Sequence, residues 1–329
     1  YGTVDVNVDW GDGNTDSYTT TGNKSHTYDS EGTYTVNISG TLTHFGNGNM
    51  SYTGADKLTE VTSFGDIFLT SLNGAFCEAG NLTVVPTSLP ASVIDLSLCF
   101  FNNDAISFTN LASWDVSNVT NMSGMFNGAG FNQDISSWTV SNVSDMSYMF
   151  YAAQNFNQDI VSWEVSNVEN MNSMFEDVTL STTNYDALLI GWAAQTLQPD
   201  ITFHGGNSKY SCGDAADARQ SLIDDDSWTI TDGGLDDEIA PVHDEEILSD
   251  LTAECEVTDL IPPTATDNCA GEITGTHDAD LPITAQGTTV VTWTYDDGNG
   301  NTSTQTQNVV INDEIAPVHD EEILSDLTA

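Results

Sequence analysis

The sequence predicts a mainly β, multidomain protein, and three patterns along its 329 residues support that prediction. Polar and apolar residues alternate at period two near both ends, as they do in half-buried β-strands. In the middle, a phrase that begins with tryptophan recurs at a short fixed period, which is typical of a solenoid. Towards the end, the phrase DEIAPVHDEEILSDLTA occurs twice, from residue 237 and again from residue 313. This repetition predicts a third module that starts at residue 237 and begins a second copy at residue 313.

The charge of the chain argues against two classes of binding partner. Four basic residues stand against 50 acidic residues, which gives a formal net charge of −46. Nucleic acids and anionic membrane surfaces are bound through Lys and Arg, so the composition argues against both. Hydrophobic residues make up 39% of the chain, and we therefore expect it to fold. It has no run of about 20 apolar residues of the kind that spans a membrane.

Residues 1–48 contain two alternating segments, around Val4–Val8 and Tyr34–Ile38. Between them lie the motifs Trp10–Gly13 and His26–Tyr28, in which Asp-Gly favours a tight hairpin turn. In this order the motifs resemble the PKD domain, an immunoglobulin-like β-sandwich that is common in extracellular proteins. The resemblance implies a spacer or contact module, with its first strand missing and no catalytic role for its motif residues.

The middle region repeats one phrase three times. Trp114, Trp138 and Trp163 begin the copies, at intervals of 24 and 25 residues. Such a short unit cannot bury its apolar face alone, so we predict one coil of a solenoid per repeat. Equivalent residues would then form rows, with valine and methionine inside and asparagine satisfying backbone groups at a bend. These rows include Val116, Val140 and Val165; Met122, Met146 and Met171; and Asn118, Asn142 and Asn167.

A wider region, residues 55–235, is similar to the BspA-like leucine-rich-repeat surface proteins with a 26-residue-type repeat. The segments Leu72–Cys77 and Leu82–Phe100 match the earlier form of that repeat, and the three tryptophan phrases match its later form. The resemblance implies a leucine-rich-repeat-like solenoid with a small helical C-terminal cap at about residues 181–235. Spacing at period 3.6 predicts two helices in this cap, around Leu188–Trp192 and Ala215–Ile223.

Residues 237–312 alternate again at period two, most clearly over Val290–Tyr295. The phrases Pro263–Cys269 and Asp297–Asn301 resemble the HYR domain, a second immunoglobulin-like β-sandwich of extracellular adhesion proteins. The duplicated phrase makes residues 313–329 the start of a second HYR-like copy. We therefore expect the chain to be a piece of a longer tandem array.

The five cysteines favour a disulfide-forming, extracellular setting. The HYR family usually has a cysteine in its last strand that this chain lacks, so the resemblance implies a Cys255–Cys269 disulfide instead. The spacing of Cys77 and Cys99 is close to one coil, which permits a second disulfide between neighbouring coils. Cys212 remains, either as a buried thiol or with a partner outside the chain.

A metal site is predicted at one end of the HYR-like sandwich. In such a fold the loop after the second strand and the final hairpin lie at the end where the linker enters. Carboxylates crowded there repel one another unless a cation binds, and oxygen ligands suit Ca²⁺. The alternative is a solvated acidic loop without a specific ion. The hypothesised ligands are Asp237, Glu238, Asp267, Asp296, Asp297 and Asn299, with Asp313 and Glu314 at the next junction.

The resemblances together imply a non-catalytic segment of a large cell-surface or secreted adhesin of Bacteroidetes-type bacteria, exported by type IX secretion and serving attachment or gliding motility. The solenoid would present the ligand face, with Tyr148 and Tyr151 as exposed aromatics for glycan or protein partners. The sandwiches would be calcium-stiffened spacers. The alternatives are accessory modules of a secreted polysaccharide-degrading enzyme and a surface filament that assembles with itself.

Overall fold

The computed structural model describes residues 2–48, 52–104, 110–316 and 318, in two compact units. Unit 1 spans Tyr1–Asp236 and unit 2 spans Asp237–Ala329. About 9% of the residues are helical and 23% lie in strands, so the prediction of a β-rich, multidomain chain is confirmed. The domain boundary predicted inside unit 1, between residues 48 and 55, stays a prediction.

Unit 1 begins with a three-stranded antiparallel sheet in the order β2-β1-β3. Its strands are β1 (Val4–Asp9), β2 (Thr15–Tyr18) and β3 (Asn37–Leu42). The alternation predicted for β1 is confirmed, since Val6 and Val8 are buried. The second predicted strand starts later than the pattern indicates.

The late start of β3 has a local cause. Tyr34 stacks on Tyr28 with ring centroids 4.0 Å apart, and its hydroxyl donates to the carbonyl of Ser30 at 2.8 Å. These contacts hold the predicted first residues of the strand in a loop, and Val36 is left exposed.

After β3 the chain winds into coils that stack through backbone hydrogen bonds. Short parallel bridges join equivalent residues of successive coils. In the four coils that begin at Leu72, Leu96, Met122 and Met146, four backbone N–H groups donate to four carbonyls of the next coil, which satisfies polar groups that the stack would otherwise bury. The bridges join His44, Ser71, Asp95, Asn121, Asp145 and Asn170 in turn. The four donors of one coil are Met122, Gly124, Phe126 and Gly128, with acceptors Asp145, Ser147, Met149 and Tyr151 at 2.9, 2.8, 2.9 and 2.7 Å.

Each coil turns through two residues with left-handed backbone. For residues other than glycine, this backbone conformation is unfavourable by roughly 1–2 kcal/mol, yet several non-glycine residues adopt it here. The regular ladder between coils therefore overrides local preference. The first row is Gly74, Leu98, Gly124, Tyr148 and Ser173, with φ of 64°, 54°, 59°, 56° and 55°. The second row is Glu78, Asn102, Gly128, Ala152 and Asp177, with φ of 57°, 53°, 66°, 54° and 63°.

The interior of the stack is a continuous column of aromatic rings. Phe76, Phe100, Phe126, Phe150 and Phe175 follow one another with ring centroids 5.5, 5.8, 5.7 and 5.4 Å apart. The predicted methionine and valine rows are buried beside this column, as expected. Packing of equivalent side chains thus links each coil to both of its neighbours.

Polar side chains at the bends bond from one coil to the preceding one. The predicted asparagine row is confirmed: the Nδ2 atoms of Asn118, Asn142 and Asn167 donate to the carbonyls of Ala91, Ser117 and Ser141 at 3.1, 2.6 and 2.8 Å. The tryptophans that open the repeats act in the same way. The indole N–H groups of Trp114, Trp138 and Trp163 donate to the carbonyls of Pro86, Leu111 and Ile135 at 2.8, 3.1 and 3.1 Å.

A cap with two helices closes the stack. Helix α1 (Thr182–Ala193) and helix α2 (Asp214–Asp224) lie where the pattern predicts them. Between and after them, β4 (Thr202–His204) and β5 (Thr229–Thr231) pair in parallel. The amide of Phe175 in the last coil donates to the carbonyl of His204 at 3.0 Å, so β4 continues the hydrogen-bond ladder into the cap.

Unit 2 contains a four-stranded sheet in the order β10-β11-β12-β7 and a three-stranded sheet in the order β6-β8-β9. Val291, Trp293 and Tyr295 alternate along β11 and are buried in its core, as predicted. The strands are β6 (Val242–His243), β7 (Leu251–Ala253), β8 (Thr264–Asp267), β9 (Gly271–Thr274), β10 (Thr276–His277), β11 (Gly287–Asp296) and β12 (Thr302–Ile311).

The predicted cysteine pairing is wrong. Within the described residues Cys255 is a free, exposed thiol, whereas Cys269 is disulfide-bonded, so they do not pair. Cys77 and Cys99 are both free and buried, and burial raises the pKa of the Cys77 thiol to about 11. Cys212 is disulfide-bonded. A disulfide requires Cβ atoms about 4 Å apart with suitable directions, and sequence spacing does not set that geometry.

Candidate functional site

The entry of unit 2 is held by the hairpin loop between β11 and β12. The Asn299 side chain donates through Nδ2 to Asp237 Oδ2 at 2.9 Å. The Asn301 side chain donates to the backbone carbonyl of Asp237 at 3.1 Å. The Asp237 carboxylate also accepts the amide of Ile239 through Oδ1 at 3.3 Å. Asp237 is therefore fixed by residues that lie more than sixty positions later in the chain.

Asp267 lies at the end of β8 with 4% of its surface exposed. Its Oδ1 accepts the backbone amides of Cys269 and Ala270, each at 2.7 Å, which shapes the turn into β9. Its Oδ2 is buried and has no hydrogen-bond partner among the described residues. An unpaired polar group in the interior is unfavourable by roughly 1–3 kcal/mol, and by more when it is charged. This oxygen is therefore available to a ligand.

Asp237 and Asp267 come together at this end of unit 2. A carboxylate oxygen of each lies within 4.8 Å of the other and of Cys269 Sγ. Because Cys269 is disulfide-bonded, its sulfur is not a thiolate ligand. The group therefore offers two carboxylates, which repel each other unless a cation or a proton lies between them.

The other predicted ligands have different positions. Asp297 folds onto its own loop, with Oδ1 accepting three backbone amides at 2.7–3.1 Å and Oδ2 accepting Asn301 Nδ2 at 2.8 Å. Burial acts to raise its pKa, but these hydrogen bonds outweigh burial and the pKa lies below the usual range. Asp296 accepts the amide of Gly298 on the exposed side of the hairpin, and Glu238 is exposed. Neither belongs to the Asp237–Asp267 group.

Sequence reasoning missed Asn301. Its side chain bonds both the Asp297 carboxylate and the Asp237 backbone, and so joins the hairpin to the entering segment. The signal was present, because Asn301 ends the phrase Asp297–Asn301 that carries the HYR resemblance.

The next junction is described only in part. Asp313 Oδ1 accepts the amide of Ile315 at 3.1 Å, which repeats the bond between Asp237 and Ile239. Glu314 Oε1 accepts the side chain of Asn312 at 2.7 Å. Residues 319–329 of the predicted second copy lie outside the described residues.

A second feature is an apolar face on the coils. Tyr148 is 46% exposed, and its ring centroid lies 5.9 Å from that of the half-buried Tyr151. Leu98 and Phe101 occupy the equivalent positions two coils earlier and are half-buried. Gly124 occupies the Tyr148 position of the coil between them, and a Cβ there would lie 2.6 Å from Leu98 Cδ2. We call Leu98, Phe101, Tyr148 and Tyr151 the apolar face.

The predicted PKD-like motifs form a polar cluster at the first hairpin. His26 Nε2 lies 2.7 Å from Asp12 Oδ2, and the His26 ring stacks on Trp10 with centroids 4.9 Å apart. The hydroxyl of Tyr28 donates to the carbonyl of Trp10 at 3.0 Å. The hydrogen bond from His26, followed by that from the Asn14 amide, lowers the pKa of Asp12 to about 2.

The lowered pKa of Asp12 predicts a local acid transition. Because the folded pKa lies below the ordinary 3.8, the contact stabilises the hairpin above about pH 4 and is lost as the pH falls towards 2. In NMR spectra, the ring-current shift of the His26 protons above Trp10 should collapse in this window. The Asp12→Asn variant should lack this step, and the exposed Glu31→Gln variant should keep it. The same step in the Asp12→Asn variant would disprove the assignment.

Comparison with known proteins gives two partial matches. Residues 70–196 match the family described as "Mycoplasma protein of unknown function, DUF285", and residues 239–311 match the "HYR-like domain with 4 cysteines". The second matched stretch contains two cysteines, Cys255 and Cys269. No curated protein and no solved structure gives a significant match to the chain.

The two matches indicate a modular, surface-associated repeat protein. They support the BspA-like and HYR-like resemblances of the corresponding regions, while the PKD resemblance and the bacterial group stay predictions. In the described parts of the chain, no helix has both the length and the apolar character needed to cross a membrane.

Proposed function

We propose that the chain is a non-catalytic attachment segment of a large surface adhesin. In this proposal the coils of unit 1 form a leucine-rich-repeat-like solenoid that presents the ligand face. Unit 2 is an immunoglobulin-like spacer in a tandem series, and export by the type IX route and a part in gliding belong to the same proposal. The observation that carries it is the apolar face, in which aromatic side chains remain accessible on a rigid, regular stack.

The backbone of the apolar face is suited to binding because it is already ordered. The amide of Tyr148 donates to the carbonyl of Asn172 in the next coil at 2.8 Å, and the carbonyl of Tyr148 accepts the amide of Tyr151 at 3.1 Å. A tyrosine on such a backbone loses little conformational entropy when it binds. Its ring gives an apolar surface for stacking on a sugar or packing on a protein, and its hydroxyl gives a polar handle.

The carboxylates of Asp232 and Asp297 serve the fold. Asp232 is the acceptor for Arg219 Nε and the Tyr185 hydroxyl at 2.7 and 2.9 Å, and Asp297 is the acceptor for its own loop. Both carboxylates are committed to the fold.

Attachment is tested with beads coated with the whole chain. Coated beads flow over cellulose, chitin, alginate, mucin and collagen surfaces in buffer that contains Ca²⁺, and albumin-coated beads give the background. We expect retention well above background on at least one surface. Retention equal to the albumin beads on all five would contradict the proposal. Retention on insoluble polysaccharides alone would favour the role of an accessory module of a polysaccharide-degrading enzyme.

A further inference from the structure

We infer that Asp237 and Asp267 form a binding site for a divalent cation, best suited to Ca²⁺, at the end of unit 2 where the chain enters. The inference deepens the spacer role in the proposed function, since the ion would order the first residues of the module. The site itself is argued from unit 2 alone and is tested without an attachment assay.

Asp267 has a buried carboxylate oxygen without a hydrogen-bond partner among the described residues. This oxygen is Oδ2, whereas Oδ1 of the same carboxylate accepts two backbone amides. A carboxylate kept in the interior for its turn-forming role alone would use Oδ1 and leave Oδ2 to solvent. A buried carboxylate oxygen without a donor is instead what a cation ligand offers.

The distance between the Asp237 and Asp267 carboxylates suits a single bound cation. Ca²⁺ binds oxygen at about 2.3–2.6 Å, so two of its ligand atoms lie at most about 5 Å apart. One carboxylate oxygen of Asp237 and one of Asp267 lie within 4.8 Å of each other, inside that limit. One ion can therefore contact both carboxylates with little movement of either. It would also remove the repulsion between them.

The chemistry of the ligands favours Ca²⁺ over other cations. The sulfur near the two carboxylates belongs to the disulfide-bonded Cys269, which removes the soft ligand that Zn²⁺ or Cu⁺ would favour. Mg²⁺ requires near-ideal octahedral geometry at short distances. Ca²⁺ accepts irregular oxygen sites and completes its coordination with water, so it fits two carboxylates on separate loops best.

A bound ion would join separate segments of unit 2. Asp237 belongs to the entering segment, Asp267 to the turn between β8 and β9, and Asn299 bonds Asp237 from the hairpin between β11 and β12. An ion bound to both carboxylates thus links three separate segments of unit 2. Asp313 repeats the position and the local bond of Asp237.

The test is calorimetric titration of the whole chain with CaCl₂ after chelation. We expect one site whose dissociation constant increases at least tenfold in the Asp267→Asn variant. The Asp237→Asn variant, altered at a less buried residue, should show a similar loss and guards against misfolding of the first variant. The matched control is Asp296→Asn, which removes an equal charge from the hairpin between β11 and β12, outside the Asp237–Asp267 site. Its affinity for Ca²⁺ should stay within twofold of the wild type.

Each contrary outcome has a clear meaning. No heat of binding with the wild type, or equal losses in Asp267→Asn and Asp296→Asn, would overturn the site and leave only diffuse attraction to an acidic surface. Equal affinity for MgCl₂ would overturn the assignment to Ca²⁺. Scanning calorimetry should also show a higher melting temperature of unit 2 in CaCl₂ than in chelator for the wild type, and no shift for Asp267→Asn. Intact Ca²⁺ binding with no bead retention would contradict the attachment role alone.

Discussion

Replacement of Phe150 with alanine is expected to lower the free energy of unfolding of unit 1 by about 3–5 kcal/mol. Phe150 is fully buried, and its ring lies between those of Phe126 and Phe175 at 5.7 and 5.4 Å. It also stacks on Phe156 at 3.9 Å. The variant leaves a cavity in the middle of the column, and each coil depends on its neighbours to cover its apolar side.

Chemical denaturation followed by tryptophan fluorescence measures this loss. The matched control is Phe68→Ala, because the Phe68 side chain is 67% exposed and its removal should change stability by no more than about 0.5 kcal/mol. A loss below about 1 kcal/mol for Phe150→Ala would show that the coils do not share one continuous core.

Replacement of Arg219 with methionine is expected to destabilise the cap by roughly 3–5 kcal/mol. Arg219 Nε donates to Asp232 Oδ2 at 2.7 Å, and the Asp232 side chain is 3% exposed. The variant therefore leaves a buried carboxylate without its positive partner. The Tyr185 hydroxyl remains as a donor to the same oxygen. Burial, followed by the Asp232 charge, raises the pKa of this Tyr185 hydroxyl far above the usual range. It stays protonated and donates one neutral hydrogen bond, which does not replace the guanidinium.

A double-mutant cycle separates the ion pair from the lost packing of the long side chain. Asp232→Asn added to Arg219→Met should recover part of the stability, because the uncompensated charge is then absent. The matched control is Lys57→Met, which breaks an exposed pair with Asp56 and should cost at most about 1 kcal/mol. Additive losses in the double variant would contradict a buried charge as the cause.

The parts of the fold that follow from a period were predictable from the sequence. The rows of Val, Met and Asn were assigned from spacing because a repeat places equivalent residues at equivalent depth, as for Asn142 and Asn167. The left-handed residues were not predictable in the same way. Only glycine signals a positive φ in a sequence, and the hydrogen-bond ladder imposes it on Tyr148 and Ala152 regardless of their preference.

The candidate cation site was predictable in outline and not in detail. Topology brought the linker, the turn after β8 and the final hairpin to one end, which identified Asp237 and Asp267. Strand alternation alone does not say how a loop carboxylate folds. Asp297 turned onto its own amides, and Asp296 remained on the exposed side of the hairpin. The cysteine pairing failed for a related reason, since linear spacing contains no Cβ directions.

The central claim is that the apolar face of unit 1 holds the ligand, and it is tested most directly by bead retention of matched variants. On the surface that best retains wild-type beads, the Tyr148→Ser/Tyr151→Ser double variant should be released at least tenfold faster under flow, as expected when aromatic anchors are lost. The control is Ile247→Ser, which removes an 81% exposed side chain from unit 2 and should leave retention unchanged. Equal retention of the double variant and the wild type would contradict the account.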